Sequence, residues 1–394
     1  MNIAQTINQR ELGERLRNAR ETAKITQADA AVAIDMSRTT LVAIEKGERR
    51  VRIEELQALA GQYNVSVNAL LRREALHVDL VPRFRRLSDS TNPDVDAAAR
   101  LMNDLVSAEV ELENLLGIEH PTNYPPERPI VPGDVREQAE RDATWLRDYL
   151  GLGPGPIADI FSLMEVGLGI RVFQRKLPQK ISGLFAYYPS IGASVLLNAD
   201  HPLERRVQSA GHELGHFTGT RGSPEVLEKG ERFLSREERY AHAFGRAFLT
   251  PATSTLQKFR ELTAGASHLT RRHVILLAHY FGVSREAMVR RLEELKLARE
   301  GTWQWFEVHG KITDQDARKV VGDDVFSPDS ARADARRPVS LRLGLMALEA
   351  WRRELLSEGQ LCNLLKIDRI TLRTLLYDLQ NDEGEANELL KLPR

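Results

Sequence analysis

The stretch His212-Glu213-Leu214-Gly215-His216 decides how this 394-residue chain is read. Two imidazoles four positions apart share one face of a helix, and a carboxylate stands between them. Such a pair can grip one Zn²⁺ while Glu213 leans toward the remaining coordination position. The chemistry served by that spacing is hydrolysis of an amide. The metal polarises a carbonyl and makes water more acidic, and Glu213 takes the water's proton and passes it to the leaving amine. The bland alternative is two surface histidines on an amphipathic helix. With ten histidines in the chain, an accidental HExxH arises in on the order of one chain in a hundred, so the metal reading is favoured.

A hydrolytic site of this kind needs a third protein ligand and one open position. The stretch from Arg236 to Pro251 offers one. Ala241, Phe244, Ala247 and Phe248 follow the spacing of a helix packed on one side, and Pro251 fits a helix that stops just before it. Glu238 lies on the buried edge of that face, whereas Glu237 is rotated toward solvent by about a hundred degrees. Glu238 is therefore the expected third ligand. His242, one turn further on, either faces the metal, orients the ligand carboxylate, stabilises an oxyanion, or is simply packed. Tyr240, Tyr187 and Tyr188 are alternative oxyanion donors.

These two motifs resemble those of ImmA/IrrE-type metallopeptidases, in which a helix of the form HELGH is followed by one of the form E..A..FA..(L/F)LMP that bears the third ligand. His212, Glu213 and His216 match the first, and Glu238, Ala241, Phe244, Leu249 and Pro251 match the second. Gly245 and Thr250 stand where the family usually has Ala and Met, and Tyr240 where many members carry Glu. The resemblance spans roughly residues 135 to 300. It implies a gluzincin-like zinc metallopeptidase of α+β, zincin-like fold, with His212, His216 and Glu238 on Zn²⁺ (Mn²⁺ being the alternative) and Glu213 as the base; a catalytic role for His242 is expected from its position alone.

The residues upstream suit that fold. A helix ends at the glycines after Leu150, a second is predicted from Pro156 to Gly167, and Ile170 to Phe173 reads as a strand. Gly183 to Tyr188 and Ala193 to Asn198 form a hairpin. That hairpin serves either as the rest on which a substrate strand is added or as plain cover for the metal helix.

The second informative region is the N-terminus, where Glu11 to Leu71 reads as five short helices. Thr26 caps Gln27 to Ile34, Ser37 caps Arg38 to Glu45, and Lys46-Gly47 closes the latter. The segment resembles XRE-type helix-turn-helix DNA-binding domains, carried by Ile25-Thr26-Gln27, Ala30, Ile34, Ser37, Thr40, Ile44-Glu45 and Gly47-Glu48-Arg49. The resemblance implies that Arg38, Thr39 and Thr40 meet base edges or phosphates in the major groove of a double-stranded operator. Gln27 would anchor a phosphate, and Lys46, Arg49 and Arg50 would add charge. Glu45 reads as structural, pairing with Arg49 or capping. Arg72, Arg73, Arg83, Arg85 and Arg86 extend the basic side.

Composition bounds these readings. Lys plus Arg number 55 against 56 for Asp plus Glu, so overall charge argues neither for nor against nucleic acid, while 42% apolar residues suffice for real cores. The single Cys362 excludes an intramolecular disulfide and a cysteine-rich zinc site. No leader or long apolar span is present, and a cytoplasmic protein without membrane attachment is expected.

The expected organisation is mainly α with a small β-sheet. Residues 1–75 form an all-α helix-turn-helix domain, 76–133 a helical linker, 134–300 the peptidase domain with a trailing helix-turn-helix-like unit, and 301–394 a helical region for sensing or partner binding. The apolar residues from Ala97 to Leu115 predict a long helix, read as a homodimer seam or as a helix packed on the peptidase domain, and Pro121 to Pro132 reads as a hinge. Functionally, the chain is expected to be a DNA-binding regulator whose peptidase cleaves a repressor, an antitoxin or itself on a stress or phage signal. The alternative is a non-proteolytic repressor or antitoxin whose metal site is a sensor or structural element. An intact Glu213 favours the first, since a structural site needs no general base.

Overall fold

The computed structural model describes residues 9–63, 65, 67, 70, 93–222, 225–228, 235–322 and 339–384. Its contacts divide the chain into two units, Met1–Val78 and Asp79–Arg394.

In the first unit, α1 (Gln9–Thr22), α2 (Gln27–Ala33), α3 (Arg38–Glu45) and α4 (Ile53–Gln62) pack around Leu16, Leu41, Ile44, Leu56 and Leu59. The caps read from the sequence are in place. The Thr26 hydroxyl accepts from the Asp29 N–H and the Ser37 hydroxyl from the Thr40 N–H, each satisfying a helix-start donor that would otherwise go unpaired. Beneath α3 lies a buried ion pair. Arg20 Nε donates to Glu45 Oε1 at 2.7 Å, a second guanidinium nitrogen donates to Oε2 at 3.1 Å, and Gln27 Nε2 donates to the same Oε2 at 2.9 Å. Glu45 is thus structural as expected, but its partner is Arg20; Arg49 pairs with Glu55 at 2.9 Å. The five arginines from Arg72 to Arg86, Ser66 and Leu71 lie outside the described residues, so four of the five expected helices are seen in full.

The second unit is built on a four-stranded sheet of order β1-β3-β2-β4, with β1 (Arg171–Arg175), β2 (Ile181–Tyr188), β3 (Gly192–Asn198) and β4 (Glu225–Glu228). The predicted hairpin is β2–β3, antiparallel, and β1 lies parallel to β3. β2 and β3 are buried at nearly every position, which needs cover on both faces. The metal-motif helix packs on β2 and β3, while α5 (Pro93–Leu116) reaches β1, β2 and β3. The edge beside β2 is taken by β4, so neither hairpin strand is free for strand addition on that side.

The helix predicted from Pro156 to Gly167 is instead one turn, Ile160–Ser162, running on as a π-helix, Leu163–Leu168, that ends on left-handed Gly169. The long helix α5 exists, but Val95, Ala99, Met102, Leu105, Val106 and Leu112 are buried within its own unit. Of the apolar residues that suggested a homodimer seam, Leu105 is buried, Leu101, Val110 and Leu115 are half-buried and Ala97 is exposed, while the buried face of α5 packs on the sheet and the C-terminal helices. The segment read as a hinge is likewise fastened down. Asn123 N–H donates to the Leu168 carbonyl at 3.0 Å, Arg128 N–H to Thr218 at 2.8 Å, and Gln138 Nε2 to Pro129 at 2.9 Å.

Later helices complete the unit. α6 (Val135–Tyr149), α7 (Leu203–Gly219) and α8 (Arg236–Leu249) form its centre. They are followed by α9 (Ala252–Leu262), α10 (Arg271–Phe281) and α11 (Arg285–Glu294). Ser284 caps α11, and the α10–α11 pair lends Leu277, Phe281, Met288 and Leu292 to the main core. α12 (Thr302–Val308) and α13 (Asp314–Val321) share a smaller core with α10. α14 (Leu341–Arg352), α15 (Glu358–Leu365) and α16 (Arg369–Gly384) close the chain.

A buried charge network binds α14 to α5 and β1. Arg171, fully enclosed, donates to Glu113 Oε2 at 2.6 Å, and Arg342 lies 2.6 Å from Glu109 Oε1 and 2.8 Å from Glu113 Oε1. His120 meets Glu113 Oε1 at 2.6 Å. Burial pushes the Glu109 carboxyl up to about 7 despite Arg171. Glu109, Glu113 and His120 cluster as cation ligands do, but the two guanidinium groups already balance the carboxylates. Among the described residues, no helix is long and apolar enough to cross a membrane.

Candidate metal centre

The metal motif sits near the end of α7, on the side that faces α8. Close approach of the two helices is what brings their side chains together. A Cβ on Gly245 would lie 2.8 Å from the Gly211 carbonyl carbon and 2.9 Å from the His212 nitrogen, and one on Gly215 would lie 2.8 Å from Ala241 Cα. Real packing tolerates neither, so glycine at these crossings sets the interhelical spacing. Gly245, where the resembled family usually has Ala, is therefore fitted to Gly211 in this chain.

Across that crossing, His212 Nε2 and His216 Nε2 stand 3.0 Å apart. Glu238, in the first turn of α8, where its backbone N–H donates to the Ser235 hydroxyl, places Oε1 3.2 Å from His216 Nε2 and Oε2 3.4 Å from His212 Nε2. Donor atoms about 2.0–2.2 Å from a common tetrahedral ion are separated by about 3.3 Å, so this set fits one metal ion without rearrangement. Burial, helped by His216 and His242, holds the His212 imidazole well below its usual pKa, which keeps its lone pair available. His216 Nδ1 lies 3.0 Å from Thr220 Oγ1, a contact that aims Nε2 at the other donors. Thr220 is the one residue of this group without a motif of its own; its signal in the sequence is only its place one turn beyond His216 on the same face.

Glu213 is completely buried. Its carboxylate lies against the backbone of β2, where a Cβ on Gly183 would come within 2.6 Å of Oε1. A glycine inside a strand is the signal of such an approach. Of the two adjacent glutamates, Glu238 is buried and faces the histidines. Glu237 is half-exposed, its carboxyl held below the usual range by backbone and Ser235 hydrogen bonds.

His242 borders the donor set, with Nε2 3.9 Å from Glu238 Oε2 and its ring 4.4 Å from that of His212. Its side chain retains 34% exposure, so it lies between the buried donors and open space. Tyr240 is removed from the alternatives: it is fully buried and its hydroxyl donates to Asp142 Oδ2 at 2.9 Å, on the far side of α8. Tyr187 packs near Tyr124 and Arg221.

In the N-terminal unit, Arg38, Thr39, Lys46 and Arg50 are exposed and Thr40 half-exposed, with the hydroxyls of Thr39 and Thr40 each 2.8 Å from Ser37 Oγ. Gln27 departs from expectation, because its amide is engaged inward with Glu45.

Two families match this chain. Residues 167–293 match the family described as IrrE N-terminal-like domain (Peptidase_M78), and residues 16–70 match the helix-turn-helix family HTH_3. No curated protein matches. Among solved structures, ComR from Streptococcus suis is 12% identical over 96% of this chain and 97% of that one, with a TM-score of 0.16. The apo competence regulator ComR from Streptococcus vestibularis is 10% identical over 95% and 99%, at 0.17. Superposition that poor establishes no structural equivalence. The two family matches show that this chain joins a helix-turn-helix domain, at residues 16–70, to an IrrE N-terminal-like, metallopeptidase-like domain, at residues 167–293.

Proposed function

We propose that the chain is a DNA-binding transcriptional regulator whose metal centre cleaves a protein, namely a repressor, an antitoxin or this chain itself, when a stress or phage signal arrives in the cytoplasm. The observation that carries this reading is the completely buried carboxylate of Glu213, the residue next to His212 on α7, for which Gly183 of β2 leaves room. A sensor or structural site needs the three donors but has no use for a base placed there.

His212, His216 and Glu238 would hold the ion, Zn²⁺ by affinity or Mn²⁺ by availability. When bound, it supplies Lewis-acid polarisation of a carbonyl and raises the acidity of water. Glu213 accepts the proton of the attacking water as the C–O bond forms, and delivers it to the amide nitrogen as the C–N bond breaks. His242, at the border of the site, donates a hydrogen bond to the developing oxyanion. In the N-terminal unit, Arg38, Thr39 and Thr40 meet the operator, Lys46 and Arg50 bind phosphates, and Gln27 braces Glu45 from within.

The test is to map new protein N-termini in the native host, with and without DNA damage or phage challenge, comparing the parent chain with Glu213→Gln. General-base loss lowers a rate by about 10²–10⁴-fold, so termini that vanish in Glu213→Gln identify the substrate. Identical terminus profiles under all conditions would sink the peptidase reading in favour of a non-proteolytic repressor or antitoxin.

A further inference from the structure

The face of α7 that carries His212 continues toward the helix start as Ser209, Gln208 and Arg205, and it lines a cleft of about 970 Å³ that also includes His242. Arg205 and His212 are seven positions apart, nearly two full turns, so they point to the same side about 10 Å from each other along the axis.

The charges on this cleft are treated unequally. On the wall formed by α8 and α11, Arg246 pairs with Glu294 at 2.6 Å and Arg290 lies 3.4 Å from Glu293. Arg205 has no such carboxylate among the described residues. Its guanidinium donates to the neutral Ser182 hydroxyl at 3.0 Å, on the strand residue next to Gly183. Burial lowers its pKa, with no acidic group opposing that effect. A half-buried arginine is ordinarily balanced by an anion, because desolvating a guanidinium alone is unfavourable.

We infer that Arg205 is the specificity-determining residue of the cleft, taking the carboxylate of an aspartate or glutamate in the bound protein segment. This rests on the peptidase reading for its location. An extended segment advances about 3.3 Å per residue, which puts the acidic side chain about three residues from the bond that is cut. Ser182 fixes the guanidinium while leaving its other donors to the ligand, and a bidentate pair with a carboxylate is the geometry that arginine favours.

The experiment measures binding without turnover. Two pools of end-blocked, fluorescein-labelled decapeptides differ only in that one draws Asp and Glu where the other draws Asn and Gln. Each is titrated by anisotropy against the full-length, zinc-loaded chain carrying Glu213→Gln. The acidic pool should bind about tenfold more tightly, the worth of one charge-assisted pair. Arg205→Gln should erase that preference, and Arg205→Glu should reverse it toward a third pool that draws Lys at the same positions. Equal binding of both pools to the parent, or a preference that survives Arg205→Gln, overturns the assignment. The peptidase reading stands or falls separately. Glu213-dependent termini without acidic residues nearby would defeat the Arg205 subsite alone, whereas Arg205-dependent binding with no such termini would defeat the peptidase and leave the subsite.

Discussion

Two buried clusters of polar side chains, one in each unit, are built on opposite plans. Arg20, Glu45 and Gln27 form a closed set, in which every carboxylate oxygen of Glu45 is met by a donor from its own unit. His212, His216 and Glu238 form an open one, in which two imidazole nitrogens face each other at 3.0 Å and a carboxylate faces both. The first plan holds a fold together, fixing α3 to α1 and α2 so that its exposed face is presented rigidly. The second leaves its electron pairs directed at a common point, which is how a chain reserves space for an ion. Burial by itself does not separate structural polar groups from functional ones; whether the partners are complementary does.

The comparison can be broken most decisively at His216. His216→Ala should abolish stoichiometric metal, measured by inductively coupled plasma mass spectrometry, while urea unfolding of the N-terminal unit stays unchanged. Retention of one tightly bound ion per chain would show that the open set is not the metal site. At the closed set, Glu45→Ala takes from Arg20 its buried carboxylate, leaving it the exposed Glu21 at 3.6 Å, and should destabilise the N-terminal unit by about 3 kcal/mol in urea titrations, with metal content intact. A loss below about 1 kcal/mol would mean that the pair is solvated and not structural. Thr220→Val removes only the contact that orients His216, and should weaken metal affinity by about 10–100-fold in chelator competition. An effect of comparable size, on stability this time, is expected of Gly245→Ala, which adds one methyl group where α7 and α8 touch. Overpacking of that kind costs about 1–3 kcal/mol, read as a lower melting temperature of the metal-free chain. An unchanged melting temperature would show that the crossing has slack.

Much of this was legible in the sequence, and the reasons differ by region. Thr26 and Ser37 announced helix starts because capping is local chemistry. The hairpin and the HExxH helix were equally local. Glu238 was chosen over Glu237 because helical periodicity assigns a buried edge. What escaped depends on distant neighbours. β4 offers only four residues and is a strand because β2 needs a partner. The destination of α5 turned on Arg171 and Arg342, which are remote from Glu109 and Glu113 in sequence. The partner of Glu45 was misread because Arg49 is near in the chain, whereas Arg20, 25 positions away, is near in space.

The network around Glu109 and Glu113 also has a consequence for the order of assembly. Arg342 and Glu109 are 233 positions apart, whereas the metal donors all come from the neighbouring helices α7 and α8. Short-range contacts close quickly and distant ones slowly, and synthesis at about 5–20 residues per second delivers α14 several seconds after α8. The nascent chain therefore has its donor set assembled while Glu109 and Glu113 still await half of their counter-charge. Arg342 shuts late in the second unit, and only links such as Leu365 to Arg175 and Lys366 to Asp104 depend on residues that emerge later still.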